Sequence, residues 1–225
     1  LGGGLRLVES PLDIAEAMRT RLLATVQEAV DEDGWPALPQ GPSRAWVFTS
    51  ATLGHDAELS WFVKRCGLEG ARILRVESPF DYGAQAGLFV PQDFPSPADP
   101  AHGSAVAALA AQAAAALGGR TLILTTTLRA LGAIASSLRE QLMERGISLE
   151  VLVQGEWPKR RLMERFRAGA SEGQKGCVLI ASMGFWEGFD VPGDALQLVV
   201  IDKLPFPPPG DPLVDARTQR IEEAG

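Results

Sequence analysis

Two carboxylates, Glu187 and Asp190, flank a glycine in the run Gly184-Phe185-Trp186-Glu187-Gly188-Phe189-Asp190. An apolar segment, Cys177 to Ala181, precedes this run, with Ser182 in the small-residue turn between them. Carboxylates beside glycines at the C-terminal side of a strand lose solvation unless they bond something. A second apolar segment, Leu196 to Ile201, ends at Asp202-Lys203. Two strand ends that carry charged groups on one edge of a sheet are where α/β proteins place ligands. Within the run, Phe189 reads as core packing. Trp186 either stacks on a base or packs.

Other candidate strand ends carry hydroxyls and an amide. Thr125-Thr126-Thr127 follows the apolar RTLIL and opens the helical pattern LRALGAIASSLREQL. Backbone N–H groups at a helix start, with hydroxyls beside them, make a phosphate site; the same threonines equally suit an N-cap. Thr49-Ser50-Ala51-Thr52-Leu53 places three hydroxyls after another apolar run, fit for a hydrogen-bond relay or for a cap. Gln154-Gly155 offers an amide for phosphate or sugar and a glycine for close backbone approach, or forms a plain turn. Lys159, Arg160, Arg161, Arg165 and Arg167 form the best local basic patch, although most such runs are solvated faces.

These groups need elements to hold them. Pro11 to Val30 predicts a helix, with apolar residues at Ile14, Ala17, Met18, Leu22 and Val26. Asp31 to Ser43, rich in glycine and proline, predicts a loop. Strands are expected at Ala45–Thr49, Arg72–Val76 and Gly87–Val90, a helix at Asp56–Cys66 and a turn at Pro79–Gln85. Pro91 to Pro100 reads as a loop, and the alanine-rich Ala101–Leu117 as a helix. Strands Thr121–Thr125, Leu149–Val153, Cys177–Ala181 and Leu196–Asp202 then alternate with helices Leu128–Arg145 and Lys159–Ala168. Near-continuous apolar strands separated by amphipathic helices predict an α/β fold, a parallel sheet covered on both faces. Residues 1–54 are expected to flank or end a preceding domain, with residues 55–225 forming the α/β domain.

Composition narrows the class. The chain has 225 residues, 46% of them hydrophobic and 22% charged, an ordinary globular balance. A net charge of −7 argues against a surface built for broad electrostatic nucleic-acid binding, while leaving room for a local basic groove. The two cysteines, Cys66 and Cys177, read as inert core residues; two thiols cannot hold an iron–sulfur cluster that needs about four. No apolar run reaches the roughly 20 residues of a membrane span. The start, LGGGLRLVES, lacks the pattern of a signal peptide, so a cytoplasmic location is expected. With no initial Met and no closing strand, the chain reads as a section of a longer protein.

Along the chain, Pro11-Leu12-Asp13, Ser50-Ala51-Thr52-Leu53, Ser78-Pro79-Phe80-Asp81-Tyr82, Thr125–Thr127, Phe185-Trp186-Glu187-Gly188-Phe189-Asp190, Asp202-Lys203-Leu204-Pro205-Phe206 and Asp211-Pro212-Leu213 follow in order. This series resembles the motifs of DinG/YoaA/XPD-type iron–sulfur superfamily 2 DNA helicases, in the pattern of the bacterial YoaA/DinG branch. It covers the chain from about Leu5 to Arg217. The resemblance implies a RecA-like fold of the P-loop NTPase type, the second motor domain of a protein that uses ATP and Mg. Such a protein would move 5′ to 3′ on single-stranded DNA in repair or replication. By the same resemblance, Glu187, Gly188 and Asp190 face the nucleotide cleft, and Ser50, Ala51 and Thr52 couple nucleotide state to DNA position. Thr125, Thr126, Thr127, Gln154, Gly155, Ser182 and Trp186 would line the DNA track. The implied partners are single-stranded DNA, the first motor domain of the same protein and a replication protein. A 4Fe-4S cluster would lie in the missing upstream domain, not in this chain.

The sequence lacks a G-x-x-x-x-G-K-[ST] phosphate loop and an Asp-Glu-x-His, and the family's arginine motif would fall beyond Gly225. The chain alone is therefore expected to be inactive in ATP hydrolysis. Two other classes stay open: a Rossmann-like nucleotide- or cofactor-binding transferase, and a non-catalytic scaffold that keeps the motor fold for protein partners.

Overall fold

The computed structural model describes residues 10–23, 45–169, 175–207 and 210–223. The chain divides into two units, Leu1–Gly87 with Pro207–Gly225, and Leu88–Phe206.

In the first unit, Asp13 accepts a hydrogen bond from the Ala15 N–H (2.9 Å) and starts α1, Ile14–Ala17, which runs on as a π-helical stretch, Met18–Leu23. The rest of the helix expected to Val30, and the loop Asp31–Ser43, lie outside the described residues. Helix α2, Ser60–Cys66, begins later than Asp56 because the Asp56 carboxylate accepts from the Ser60 N–H and hydroxyl, both at 2.9 Å, and caps the helix from outside. One short turn, α3, Tyr82–Gln85, occupies the predicted turn region. The strands expected at residues 45–49, 72–76 and 87–90 do not form. Val47, Leu74 and Leu88 are 82%, 85% and 92% exposed. An apolar run becomes a strand only when a neighbour pairs its N–H and C=O groups, and no described residue pairs with these segments.

The second unit carries the α/β pattern: α4 (His102–Ala116), β1 (Thr121–Leu124), α5 (Leu128–Glu144), β2 (Glu150–Val153), α6 (Lys159–Ala168), β3 (Cys177–Ala181) and β4 (Leu198–Ile201). Two 3-10 turns, Met183–Phe185 and Gly193–Ala195, separate β3 from β4. All pairings are parallel, in the order β2-β3-β1-β4, with Leu122 opposite Leu179 on one side and Val199 on the other. The twofold alternation of strand side chains builds two cores. Ile123, Val153, Val178 and Ile180 pack beneath α4 and the α5 stripe Leu131, Ile134, Leu138, Leu142. Leu122, Leu124, Leu152 and Leu179 pack against Leu162 and Phe166 of α6. Burying each such side chain contributes roughly 1.5–3 kcal/mol, which makes these two faces the main source of the unit's stability. The expected α/β sheet with helices on both faces is therefore present, and it is consistent with a RecA-like domain.

Two features constrain the N-terminal end of the sheet. Gly119, in the left-handed region at φ +96°, lies against Gly176: a Cβ built on it would stand 2.5 Å from the Gly176 carbonyl carbon. Cys177 begins β3 fully buried, and burial pushes its thiol up to about 11. Burial also raises the Cys66 thiol at the end of α2.

The first unit also holds α7, Pro212–Glu223, for which the sequence analysis gives no helix. Asp211 caps it, accepting from the N–H groups of Leu213 (2.9 Å) and Val214 (3.1 Å), and Pro212 sits at the first helical position. No helix among the described residues is long and apolar enough to cross a membrane.

Candidate functional site

Because the strands are parallel, their C-terminal ends share one edge, where Gln154, Ser182, Thr125 and Asp202 follow β2, β3, β1 and β4. Side chains stitch the first three ends together. Gln154 Oε1 accepts from the Ser182 N–H (2.7 Å) and hydroxyl (3.4 Å). The Thr125 N–H donates to the Ala181 carbonyl (2.8 Å), and the Thr125 carbonyl accepts from the Trp186 indole N–H (3.0 Å). Gly155, at φ +99°, turns the chain away from β2 with open space around it.

The threonine turn divides its labour. Thr125 is buried and its hydroxyl donates inward, to the Thr127 carbonyl (3.2 Å) or the Ala181 carbonyl (3.3 Å). The Thr126 hydroxyl is enclosed without a partner among the described residues. Thr127 is exposed and caps α5, accepting from the Ala130 N–H at 3.2 Å. The cap that the sequence allowed is thus present.

The loop from Gly184 to Asp190 rests on an aromatic floor. Phe185 is buried, and the Phe166–Phe189 and Phe185–Phe189 ring centroids lie 5.7 and 5.6 Å apart, so Phe189 packs as its sequence suggested. Trp186 is half-buried, with its one polar atom engaged by Thr125. Glu187, Gly188 and Asp190 are exposed at the loop's crest. Neither carboxylate accepts a hydrogen bond or ion pair from a described residue, and both are open to a ligand.

The basic residues after β2 do not form a free patch. Lys159 donates to the Gly184 carbonyl (2.6 Å) and lies over the Phe185 ring (4.8 Å). Arg161 lies over the Trp157 ring (4.2 Å), Arg160 pairs with Glu164 (3.5 Å) and Arg165 with Glu150 (2.5 Å). Arg167 donates to the Asp190 carbonyl. Arg165 reaches a glutamate of β2, and Lys159 and Arg167 end on carbonyls of the Gly184–Asp190 loop, contacts that sequence order alone does not display.

At the fourth strand end, sequence reading passed over His102. Buried at the start of α4, its ring contacts the Pro95 carbonyl through Nδ1 (2.8 Å) and the Asp202 carbonyl through Nε2 (3.1 Å), with Phe94 edge-on at 5.8 Å. A lone histidine between Ala101 and Gly103 carries no sequence signal for this tie. Asp202 itself is 8% exposed, and burial pushes its carboxyl up against the opposing pull of the Lys203 N–H and the nearby Lys203 and His102. A raised carboxyl favours the protonated folded state. Its contribution is full below the ordinary carboxylate range, near 3.9, and is lost as pH rises through the raised value. Asp202→Asn keeps an oxygen for the Lys203 N–H and removes the charge. It is expected to raise the melting temperature at pH 7, with the gain shrinking toward pH 4; thermal melts across pH check this.

Ser50, Ala51 and Thr52 belong to the other unit, where all three are exposed and the Ser50 hydroxyl accepts from the Thr52 N–H at 3.2 Å. A groove of about 870 Å³ also lies in that unit, beside Leu12, Trp61, Phe62 and Arg217, and includes none of the candidate residues. No group of three His, Cys, Asp or Glu among the described residues is placed to hold a metal ion.

Residues 110–225 match the family described as Helicase C-terminal domain. The chain is 39% identical over 175 residues to the ATP-dependent DNA helicase YoaA of Escherichia coli, covering 78% of this chain and 26% of that protein. It is 33% identical over 220 residues to the ATP-dependent helicase DinG of Mycobacterium tuberculosis, covering 96% and 29%. It is 30% identical over 186 residues to the 3'-5' exonuclease DinG of Bacillus subtilis, covering 80% and 19%. The chain thus spans less than a third of the length of each of these relatives.

Proposed function

The chain belongs to the helicase C-terminal domain family, and from that premise we propose that it is the second RecA-like motor domain of a longer ATP-dependent DNA helicase. The observation that carries this reading is the stitched sheet edge. One loop offers two carboxylates around Gly188 that have no partner among the described residues, and the same loop is tied through Trp186 to the threonine turn. In this reading Glu187, Gly188 and Asp190 form one wall of the ATP cleft, opposite a first motor domain that supplies the phosphate loop. Carboxylates repel phosphate, so these two suit the hydroxyls of a ribose or the water shell of magnesium. Thr126, Thr127, Gln154, Gly155 and Ser182 lie along the adjoining edge, where single-stranded DNA would pass. Thr125 and Trp186 act there through their bonds to each other. Residues 1–54, with Ser50, Ala51 and Thr52, flank the preceding motor domain and couple it to this one.

Closing the cleft on ATP would shift this edge relative to the other motor domain, and opening would reset it, giving movement 5′ to 3′ in repair or replication. The two cysteines are buried with raised thiols and are too few for a 4Fe-4S cluster; the cluster that this reading implies would lie in an upstream part of the longer protein.

The test is ATP turnover by the longer protein with and without single-stranded DNA, beside this chain alone, with strand displacement on duplexes carrying a 5′ or a 3′ tail. Stimulation by DNA and displacement from the 5′ tail support the reading. Nucleolytic shortening of the strand without displacement favours the activity named for the Bacillus subtilis relative. Thr127→Ala is expected to cost about 1 kcal/mol of stability through the lost cap and to weaken single-stranded DNA binding. Melting temperature and affinity check the two parts separately; unchanged affinity makes the hydroxyl a cap alone.

A further inference from the structure

Helix α6 sends two cations to main-chain oxygens of a single loop. Lys159, its first residue, donates from Nζ to the Gly184 carbonyl at 2.6 Å. Arg167, two turns on, donates from Nη2 (2.6 Å) and Nε (3.2 Å) to the Asp190 carbonyl. Cationic donors make shorter and stronger hydrogen bonds than neutral ones. The two acceptors bracket Trp186, Glu187 and Gly188, the stretch that carries one of the open carboxylates; the other belongs to Asp190 itself. Between the two bonds, Phe166 of the same helix packs on Phe189. Gly188 has a left-handed φ of +66° and nothing within 4 Å of its Cβ position, so the crest has no anchor of its own there.

We propose that Lys159 and Arg167 are positioning residues that fasten both ends of the Gly184–Asp190 loop to α6, so that Glu187 and Asp190 move with that helix as one body. The inference rests on the helicase reading for what the loop faces; the tether itself rests on the geometry. The rival use of cations here is direct contact with nucleic-acid phosphate. The two uses respond differently to salt. A side chain that neutralises a phosphate of a single strand contributes about 0.7 to the slope of log affinity against log salt. A side chain whose donors end on carbonyl oxygens contributes none.

The experiment compares the longer protein with its Arg167→Ala, Lys159→Ala and Arg167→Lys variants. It reads kcat and KM for ATP at saturating single-stranded DNA, the salt slope of DNA binding, melting temperature, and amide hydrogen exchange across residues 184–190. Arg167→Ala and Lys159→Ala are expected to lower kcat roughly 10- to 100-fold, the scale of one hydrogen bond to a charged group. Their salt slopes should match the parent, with a small drop in melting temperature from the lost bond and loop exchange faster by a similar factor. Arg167→Lys should recover part of kcat, because an ammonium can still donate to one carbonyl. A slope reduced by about 0.7 with kcat unchanged would overturn the proposal in favour of phosphate contact. A parent protein without DNA-stimulated turnover overturns the helicase reading instead. The exchange measurement then still decides the tether, because unchanged exchange in the loop overturns it.

Discussion

Asp190→Ala in the longer protein is expected to lower DNA-stimulated ATP turnover by about 100-fold, the scale on which removing one preorganised polar group from a reaction site acts. The substitution is clean for a structural reason. Arg167 holds Asp190 by its main-chain carbonyl, and that bond survives loss of the side chain. The carboxylate is exposed and accepts nothing from a described residue, so its removal leaves no buried group unpaired. Steady-state turnover beside a thermal melt checks this: turnover should fall while the melting temperature stays put. Turnover equal to the parent's would take Asp190 out of the cleft.

Gly119→Ala carries the largest expected effect on stability, a loss of about 2–5 kcal/mol. Roughly 1–2 kcal/mol comes from placing a Cβ in the left-handed region, and about 1–3 from overpacking. The atoms a Cβ would meet are main-chain atoms of Gly176 and Cys177, at 2.5 to 2.7 Å, and they cannot rotate away. Gly176 is constrained from its own side, with the Gly118 carbonyl 2.7 Å from its Cβ position. The neighbouring Gly118→Ala is the control. Gly118 is also left-handed, at φ +62°, but has open space around it, so only the backbone part applies. Urea unfolding of the two variants should separate them by the overpacking part. Equal midpoints would mean that β1 and β3 can part at this end without cost.

The parallel sheet was legible because β1 and β3 are buried on both faces, and such strands write themselves as unbroken apolar runs. Lys159–Ala168 and Cys177–Ala181 match the sequence reading residue for residue. The strands expected at residues 45–49, 72–76 and 87–90 failed on the same evidence. An apolar run states what a segment would bury, and says nothing about which neighbour would pair with it. Helix α7 was missed although its signal was present: Asp211 followed by Pro212 is a cap and a first-turn proline, hidden by the prolines before it. The site divides likewise. Glycines and carboxylates beyond strand ends marked the edge, since strand direction brings them together. The uses of Lys159, Arg167, His102 and the Trp186 indole depend on contacts 25, 23, 100 and 61 residues apart, which no local spacing encodes.

Cys177 adds a clock to the molecule. With its thiol near 11, about one molecule in a thousand carries the reactive thiolate at pH 8 while the sheet is closed, and the sulfur is out of reach of any reagent. Alkylation there can proceed only through an opened β3. Its rate therefore times how often this inner strand comes loose, with no residue of the chain replaced.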